Sequence, residues 1–400
     1  GAEAAGQRAA QRQAGSEHIA PGELEGRGPP EVAVVLQAQG RRGTERGPAP
    51  DDPGPAQRVI FVRSSIVNLP YALLARLDAG EGVPEVDVAE YDEILLLGSG
   101  TSYYLALAAA DWIARRHALP VRAAPSCEVM LDPHQAALVP GRRRLAIAIS
   151  RSGESSELIL ALDTLKDAGT TVFGVGCVVT STLMRQADLV HHVQEGQEDG
   201  LVMLRSFTSM LLALQHLFGT PEDRAALRAL PAAARAILDH DGDELKKLAR
   251  LRPFDRFVYL ASGPSYPIAL EAGLKVQEMS ISTAEAYHSL EYRHGPKATA
   301  DRNTFLTIFA LSDLGRGLAL ARDMKALGVT LLVVGPGADQ YGGIADMVIP
   351  APLDMDEGRA SVTSLLPLQI LAFETAMRKG KNPDAPENLS KVVILEKVTG

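Results

Sequence analysis

The sequence predicts an α/β fold: two three-layer domains in tandem, each a parallel sheet with helices on both faces. Three observations carry this expectation. The chain repeats itself: L-G-S-G-T-S-Y-Y-L-A-L at 97–107 returns as L-A-S-G-P-S-Y-P-I-A-L at 260–270. The echo continues downstream, where 165–176 mirrors 324–335 and Ala187-Asp188-Leu189-Val190 mirrors Ala345-Asp346-Met347-Val348. Within each copy, short apolar runs alternate with stretches of helical spacing, the pattern that builds a parallel sheet covered on both sides. Ala146 to Ile149 is such a run, short and fully apolar as a buried parallel strand requires, and Leu158, Leu162 and Leu165 follow it at helical intervals.

In chain order, residues 1–57 come first, rich in Ala, Gly, Pro, Gln and Arg, with E-G-R-G-P-P-E and R-G-P-A-P-D-D-P-G-P unable to sit inside regular elements. This composition cannot bury a core and reads as disordered or foreign to the fold. A short helix is expected over Leu69–Leu77, and the folded body from near Tyr91. The two domains are placed at 80–220 and 245–385, joined by a helical stretch from Pro221 to Leu251. A tail, 386–400, closes the chain. The first strands are predicted at E-I-L-L-L-G and at F-V-Y-L-A-S.

The first copy carries two hydroxylated turns. Gly98-Ser99-Gly100-Thr101-Ser102 leaves the first strand; it has Tyr103 where a dinucleotide fingerprint needs its third glycine. Ser150-Arg151-Ser152-Gly153-Glu154-Ser155 leaves the apolar run 146–149 and opens a helix. A helix N-terminus presents unpaired N–H groups and partial positive charge, so it holds an anion well. There is no lysine in the loop and no G-x-x-x-x-G-K-[ST] in the chain, which points to one phosphate on a small molecule rather than a nucleotide triphosphate. Alone, the turn could be a Ser-rich helix cap. Two such turns on one sheet edge, where ligands of open α/β sheets bind, make a phosphate–sugar pocket.

The second copy reads Leu311-Ser312-Asp313-Leu314-Gly315-Arg316 where the serine turn should recur. It gains ionisable residues instead. Glu271, Lys275 and Glu278 are spaced by four and three and share a helical face. His294-Gly295-Pro296 is a turn able to aim an imidazole. Taken singly, Glu271 and Lys275 could be an ordinary surface pair and His294 a satisfied loop histidine.

Composition narrows the class. Of 400 residues 46% are hydrophobic, enough for a large core, and the net charge of −9 offers no basic face for nucleic acid. Cys127 and Cys177 lie far apart, which argues against a disulfide framework or a zinc site. No apolar run is long enough to span a membrane and no signal-peptide core is present, so a cytoplasmic protein is expected.

The stretches G-S-G-T-S-Y-Y, I-S-R-S-G-E-S-S-E, F-T-S-M-L-L, Y-P-I-A-L-E-A-G-L-K-V-Q-E, A-E-A-Y-H-S-L-E-Y-R-H-G-P and P-E-N-L-S-K-V-V cover about 85–395. In this order they resemble the sugar isomerase (SIS) superfamily, most closely its double-domain members. These are the isomerase half of glutamine:fructose-6-phosphate amidotransferase, the SIS-type glucosamine-6-phosphate deaminases and the tagatose/galactosamine-6-phosphate group. The resemblance implies tandem αβα domains of flavodoxin-like or Rossmann-like build. It implies that Thr101, Ser102, Ser150, Arg151, Ser152 and Ser155 are the sugar-phosphate contacts, with Ser150 and Ser152 holding the phosphate and the first turn the sugar. Arg151 stands where the amidotransferases usually have glutamine. Leu201 and Arg205 would lie in the loop covering the sugar. Glu278 would be the general base, Glu271 and Lys275 its supporting charges, His294 the ring-opening histidine from a neighbouring subunit, and Lys391 the lysine of a C-terminal loop closing over the substrate.

That chemistry is sound from below. One carboxylate between two carbons can move a proton from C2 to C1, an imidazole can exchange the ring-oxygen proton, and a lysine can steady an enolate oxygen or form an imine. Neither a cofactor nor a metal is called for. The amidotransferases carry an N-terminal glutaminase domain with a cysteine nucleophile, whereas the first cysteine here, Cys127, falls inside the first α/β domain. The expectation is therefore an amino-sugar-phosphate deaminase/isomerase, acting on glucosamine 6-phosphate in a homodimer or larger assembly with shared sites. The alternatives are another aldose–ketose sugar-phosphate isomerase of the tagatose or galactosamine type, or a non-catalytic sugar-phosphate-sensing module.

Overall fold

A computed structural model describes Ser65 and residues 71–132, 141–352 and 355–395. The composition-biased segment 1–57 lies outside the described residues. Among the described residues the first complete helix is α1 (Tyr71–Asp78), the helix expected over Leu69–Leu77. Buried structure is thus present ahead of Tyr91, where the folded body was expected to start. Leu73, Leu74 and Leu77 are buried in the main core, and Arg76 pairs with Glu195 at 2.7 Å. Helical spacing gives this short segment one apolar face, and burying that face holds it to the body.

The first half runs β1 (Glu93–Gly98), α2 (Thr101–Ala114), β2 (Val121–Pro125), α3 (Ser126–Leu131), β3 (Arg144–Ser150), α4 (Ser156–Asp167), β4 (Thr171–Gly176), α5 (Thr182–Gln186), β5 (Leu189–His192) and α6 (Arg205–Phe218). Three short helices follow: α7 (Pro221–Leu227), α8 (Leu230–Ala236) and, after a π turn, α9 (Gly242–Arg250). They fill the stretch expected to join the halves. The second half runs β6 (Arg256–Ala261), α10 (Tyr266–Ser280), β7 (Thr283–His288), β8 (Thr304–Phe309), α11 (Leu314–Ala326), β9 (Thr330–Gly335), β10 (Met347–Pro350) and α12 (Ser361–Arg378).

All strand pairings are parallel, in two five-stranded sheets ordered β2-β1-β3-β4-β5 and β7-β6-β8-β9-β10. Numbered within its own half, each sheet has the order 2-1-3-4-5. That doubly wound order reverses direction between its first and third strands, and a crevice opens there beyond the strand ends. The sequence repeat is thus a repeat of topology. Asp188 and Asp346, equivalent in the two copies, make the same contact. Asp188 accepts the N–H of Val172 at the start of β4, and Asp346 that of Leu331 at the start of β9, at 2.8 and 2.7 Å.

The central strands are buried on both faces, which explains their unbroken apolar runs. One hydrophobic cluster runs through both halves, from Ile94 and Ile147 through Leu211 and Phe257 to Leu371. Helices α2, α6, α10 and α12 lie in this shared layer. Smaller clusters cover the outer face of each sheet. Both cysteines are free; Cys177 is buried, and burial pushes its thiol up to about 12. Cys127 is only partly buried. No helix among the described residues is long and apolar enough to cross a membrane.

Candidate active site

The crevice of the first sheet lies between the ends of β1 and β3, and both hydroxylated turns line one cavity there, about 230 Å³ in volume. Beyond β1 the chain turns at Gly100, whose φ of +55° favours glycine, and Thr101 and Ser102 start α2 with both side chains nearly buried. A Cβ at Gly98 would sit 2.5 Å from the Ser102 carbonyl, so this position has no room for a side chain.

The turn after β3 is held from several sides. The Ser150 hydroxyl oxygen accepts the Gly153 N–H at 2.9 Å. Gly153 has φ +67°, and a Cβ there would collide with Ser181. Glu154 accepts the Thr182 N–H at 2.7 Å and its hydroxyl at 2.8 Å, fastening the loop to α5. Ser155 takes the N-cap position of α4 but its hydroxyl makes no capping bond. The reading of this turn as a plain helix cap is therefore not what the geometry gives, since a capping serine would bond the N–H of the second or third helical residue. The cavity receives Ser150, Arg151, Ser152 and Ser155 at the positive end of a twelve-residue helix.

The acid–base residues arrive from the other half. Glu278, on α10, lines the same cavity as the serine turn. Behind it lies Lys275, fully buried, its Nζ 2.5 Å from Glu278, 3.2 Å from Glu271 and 2.9 Å from the Thr101 hydroxyl of the first half. Glu271 and Lys275 are therefore no surface pair, and they sit beneath the cavity rather than on its wall. Burial pushes the Glu271 carboxyl up to about 8, against the attraction of Lys275. Burial alone would lower Lys275, but the two carboxylates beside it outweigh that and hold its ammonium charged to higher pH. A carboxyl buried in so dry a pocket favours its neutral form, which is the direction in which Glu271 is shifted.

Arg151 is nearly buried. Its guanidinium donates to the carbonyls of Gly200 and Leu201 at 2.9 and 2.8 Å and lies 3.8 Å from Glu198. Glu198, almost fully buried, accepts the N–H groups of Leu204, Arg205 and Ser206, so an outside carboxylate caps α6. Arg151 thus balances that charge and fixes the 200–204 segment, from which Leu201 and Met203 line the cavity. Arg205 does not line it. It is the first residue of α6, and its guanidinium turns back to the Gln197 carbonyl.

Residues of the tail complete the wall. Leu389, Ser390, Lys391 and Val393 line the cavity, and Lys391 Nζ lies 3.5 Å from the Asp199 carbonyl. The tail docks on the start of α4, where Ser156 donates its N–H to Val393 and accepts that of Leu395. His294 is not brought in. It is exposed on the loop after β7 and is absent from the wall of this cavity. Sequence reasoning missed Met203, Glu157 and Glu198; only Glu198 carries a signal, an acid shortly before a helix that lacks a capping side chain of its own.

Comparison with known proteins gives the same direction. Residues 88–219 match the SIS domain. The glutamine–fructose-6-phosphate aminotransferase [isomerizing] of Pyrobaculum aerophilum is 33% identical over 316 residues, 76% of this chain and 51% of that protein. Its Bordetella pertussis counterpart is 31% identical over 333 residues, 79% of this chain and 54% of that protein. The chain spans about half the length of these curated relatives. The solved glucosamine-6-phosphate deaminase of Thermotoga maritima superposes with TM-score 0.68 at 28% identity, over 84% of this chain and 99% of that one. The tagatose-6-phosphate ketose/aldose isomerase of Escherichia coli shares the fold, with TM-score 0.70 at 22% identity over 85% of this chain and 94% of that one. The chain thus carries an SIS domain over residues 88–219, and its paired 2-1-3-4-5 sheets and serine turn are those of a fold shared with sugar-phosphate isomerases and deaminases of the SIS group.

Proposed function

We propose that this protein is an amino-sugar-phosphate deaminase/isomerase that converts glucosamine 6-phosphate and water to fructose 6-phosphate and ammonia. The observation that carries the reading is Glu278 sharing one small cavity with the serine turn, backed by the buried Lys275. In this reading the phosphate sits on the hydroxyls of Ser150, Ser152 and Ser155 at the start of α4, and Thr101 and Ser102 meet the sugar. With the ring open, Glu278 takes the C2 proton and returns it at C1. The resulting C2 imine adds water and expels ammonia, which balances the overall reaction. Lys275 holds the Glu278 carboxylate toward the sugar, anchored in turn by Thr101. Lys391 and the tail cover the site and keep bulk water out.

Ring opening falls to His294. Since His294 is exposed and outside its own chain's cavity, the working form in this reading is at least a dimer in which a second copy supplies it. The likeness to the Thermotoga maritima deaminase, at 28% identity against 22% for the tagatose-6-phosphate isomerase, supports deamination over simple isomerisation.

The test is an ammonia-release assay without glutamine, over glucosamine 6-phosphate, galactosamine 6-phosphate and unphosphorylated glucosamine. Release from the first supports the reading. Interconversion of ketose and aldose phosphates without ammonia would replace it with simple isomerisation. Binding of sugar phosphates with no turnover would leave a sensing module.

A further inference from the structure

The two halves align 163 residues apart along the repeat, and the second half has a switch-point crevice of its own, between the ends of β6 and β8. A cavity of about 530 Å³ occupies it, a size common for small-molecule sites. Its walls repeat the plan of the first. The turn Ser262-Gly263-Pro264 and residues Leu311 and Ser312 stand where the two hydroxylated turns stand in the first half. The opposite wall is the first helix of the other half, here α2. At the repeat offset, Glu271, Lys275 and Glu278 correspond to Ala108, Trp112 and Arg115, and all three of these line the second cavity. The acid–base set is gone, so this cavity is built to bind and not to transform.

We propose that the second cavity binds an unphosphorylated amino sugar, a hexose-sized polyol carrying an ammonium group. Phosphate is disfavoured on two counts. The N-terminus of α11 is already taken by the Asp313 carboxylate, which accepts the Arg316 N–H at 3.0 Å. Both arginines of the wall are engaged, Arg115 with Asp111 at 2.7 Å and Arg116 with Asp223 at 2.6 Å. What remains open is acceptors. The Glu357 carboxylate makes no hydrogen bond among the described residues and faces the Gly263 turn, with the Arg115 guanidinium, itself bonded to Asp111, at the same turn. Gln215 is 1% exposed, lines the cavity, and has a buried Oε1 with no partner while its Nε2 donates to the Gly358 carbonyl at 2.8 Å. An unpaired buried acceptor costs stability unless a ligand donates to it. A carboxylate for the ammonium and an amide oxygen for a hydroxyl suit this ligand class; Trp112, nearly buried with the Arg116 guanidinium over its ring, adds only an apolar edge to the wall. The inference does not depend on the catalytic reading of the first cavity.

Trp112 is the single tryptophan of the chain and lines this cavity, so its fluorescence follows a ligand bound there. The full chain is titrated with glucosamine hydrochloride and with glucose, with calorimetry alongside. The expected result is a saturable change at one site per chain, with glucose at least about tenfold weaker and Glu357→Gln weakening glucosamine by a similar factor. The response should persist in the Ser150→Ala/Ser152→Ala double variant, whose first cavity is impaired. Four outcomes overturn the proposal: no saturable response or heat at tens of millimolar, above the ~1 mM range of weak specific binding; glucose equal to glucosamine; Glu357→Gln equal to the parent; or loss of the response in the double serine variant.

Discussion

The two halves have one scaffold and opposite uses of it. Both wind five parallel strands in the order 2-1-3-4-5, and both turn at a left-handed glycine after the first strand, Gly100 and Gly263 with φ +55°. Yet the helix start beyond the third strand is left open to an anion in one half and plugged by Asp313 in the other. The first helix of the second half carries Glu278 into the first half's crevice with Lys275 beneath it, while α2 offers Ala108, Trp112 and Arg115 at the matching positions. A duplicated fold thus keeps its backbone, which packing enforces, and divides its chemistry, which a few side chains decide. The same helix position presents a carboxylate to one crevice and an alanine, a tryptophan and an arginine to the other.

The largest effect should come from the residue that crosses between halves. Glu278→Gln removes proton transfer and little contact surface, so kcat should fall by about three or more orders of magnitude with sugar-phosphate Kd nearly unchanged. The division of labour also extends between chains if His294 is supplied in trans. Dead Glu278→Gln subunits mixed with dead His294→Ala subunits should then regain up to about a quarter of parent activity, because mixed dimers have one site with both native residues. A mixture that stays dead despite demonstrated exchange would put His294 to work within its own chain, or nowhere.

Next is the contrast between the serine turn and the aspartate plug. In the proposed function the hydroxyls and the open helix end seat the phosphate, so Ser150→Ala with Ser152→Ala should raise KM for the sugar phosphate by roughly a hundredfold. Asp313→Ala, at the matching place, should leave KM alone and cost only about 1 kcal/mol of stability through the lost cap. A KM that responds equally to both changes would mean the halves are not specialised as described.

Much of this division was legible in the residues. The repeat gave both sheets because parallel strands buried on two faces must be continuously apolar, and the loss of serines at 311–316 was visible as text. The spacing of Glu271, Lys275 and Glu278 put them on one face, but no spacing rule says that Glu271 and Lys275 lie wholly beneath the wall. That follows from α10 packing against the first half, a contact between residues far apart in sequence. Arg205 shows another limit. The resemblance placed it in the loop covering the sugar, and in the structure it is the first residue of α6 with its guanidinium on the Gln197 carbonyl. The α1 helix was legible, its burial was not, because three leucines at helical spacing do not name the surface they meet.

Burial of Glu271 makes a third contrast, since its counterpart Ala108 cannot titrate. The Glu271 carboxyl, pushed from 4.5 up to about 8, keeps its proton in the folded chain over a range where the unfolded chain has released it. Stability is therefore lost as pH rises from about 4.5 to about 8, by an amount on the order of a few kcal/mol from this group. The raised Lys275 contributes outside that window, above its ordinary 10.5. In Glu271→Gln the Tm difference between pH 5 and pH 8 should shrink. An undiminished slope would mean that the proton is held elsewhere in the cluster.

The smallest expected effect tests the equivalence on which the comparison stands. Asp188 and Asp346 each precede the last strand of their sheet, and each accepts the N–H at the second residue of the preceding sheet strand, Val172 or Leu331. Each also donates its own N–H back to the carbonyl of that same residue, at 2.9 Å in both halves. The side chain thus closes a ring that sets the register of the edge strand against its neighbour. Alanine at either position leaves a strand-end N–H that water can still reach, so the loss is about 1 kcal/mol rather than the larger cost of a buried orphan. Asp346 also meets Lys325 at 2.7 Å, whereas no ion pair to Asp188 is found among the described residues. That exposed pair adds at most a few tenths of a kcal/mol and should fade in high salt. Asp188→Ala and Asp346→Ala should accordingly lower the urea midpoint by similar amounts at high ionic strength, with the second slightly worse at low ionic strength. A difference of several kcal/mol between them would show that the matched aspartates are a sequence echo with no shared mechanical role.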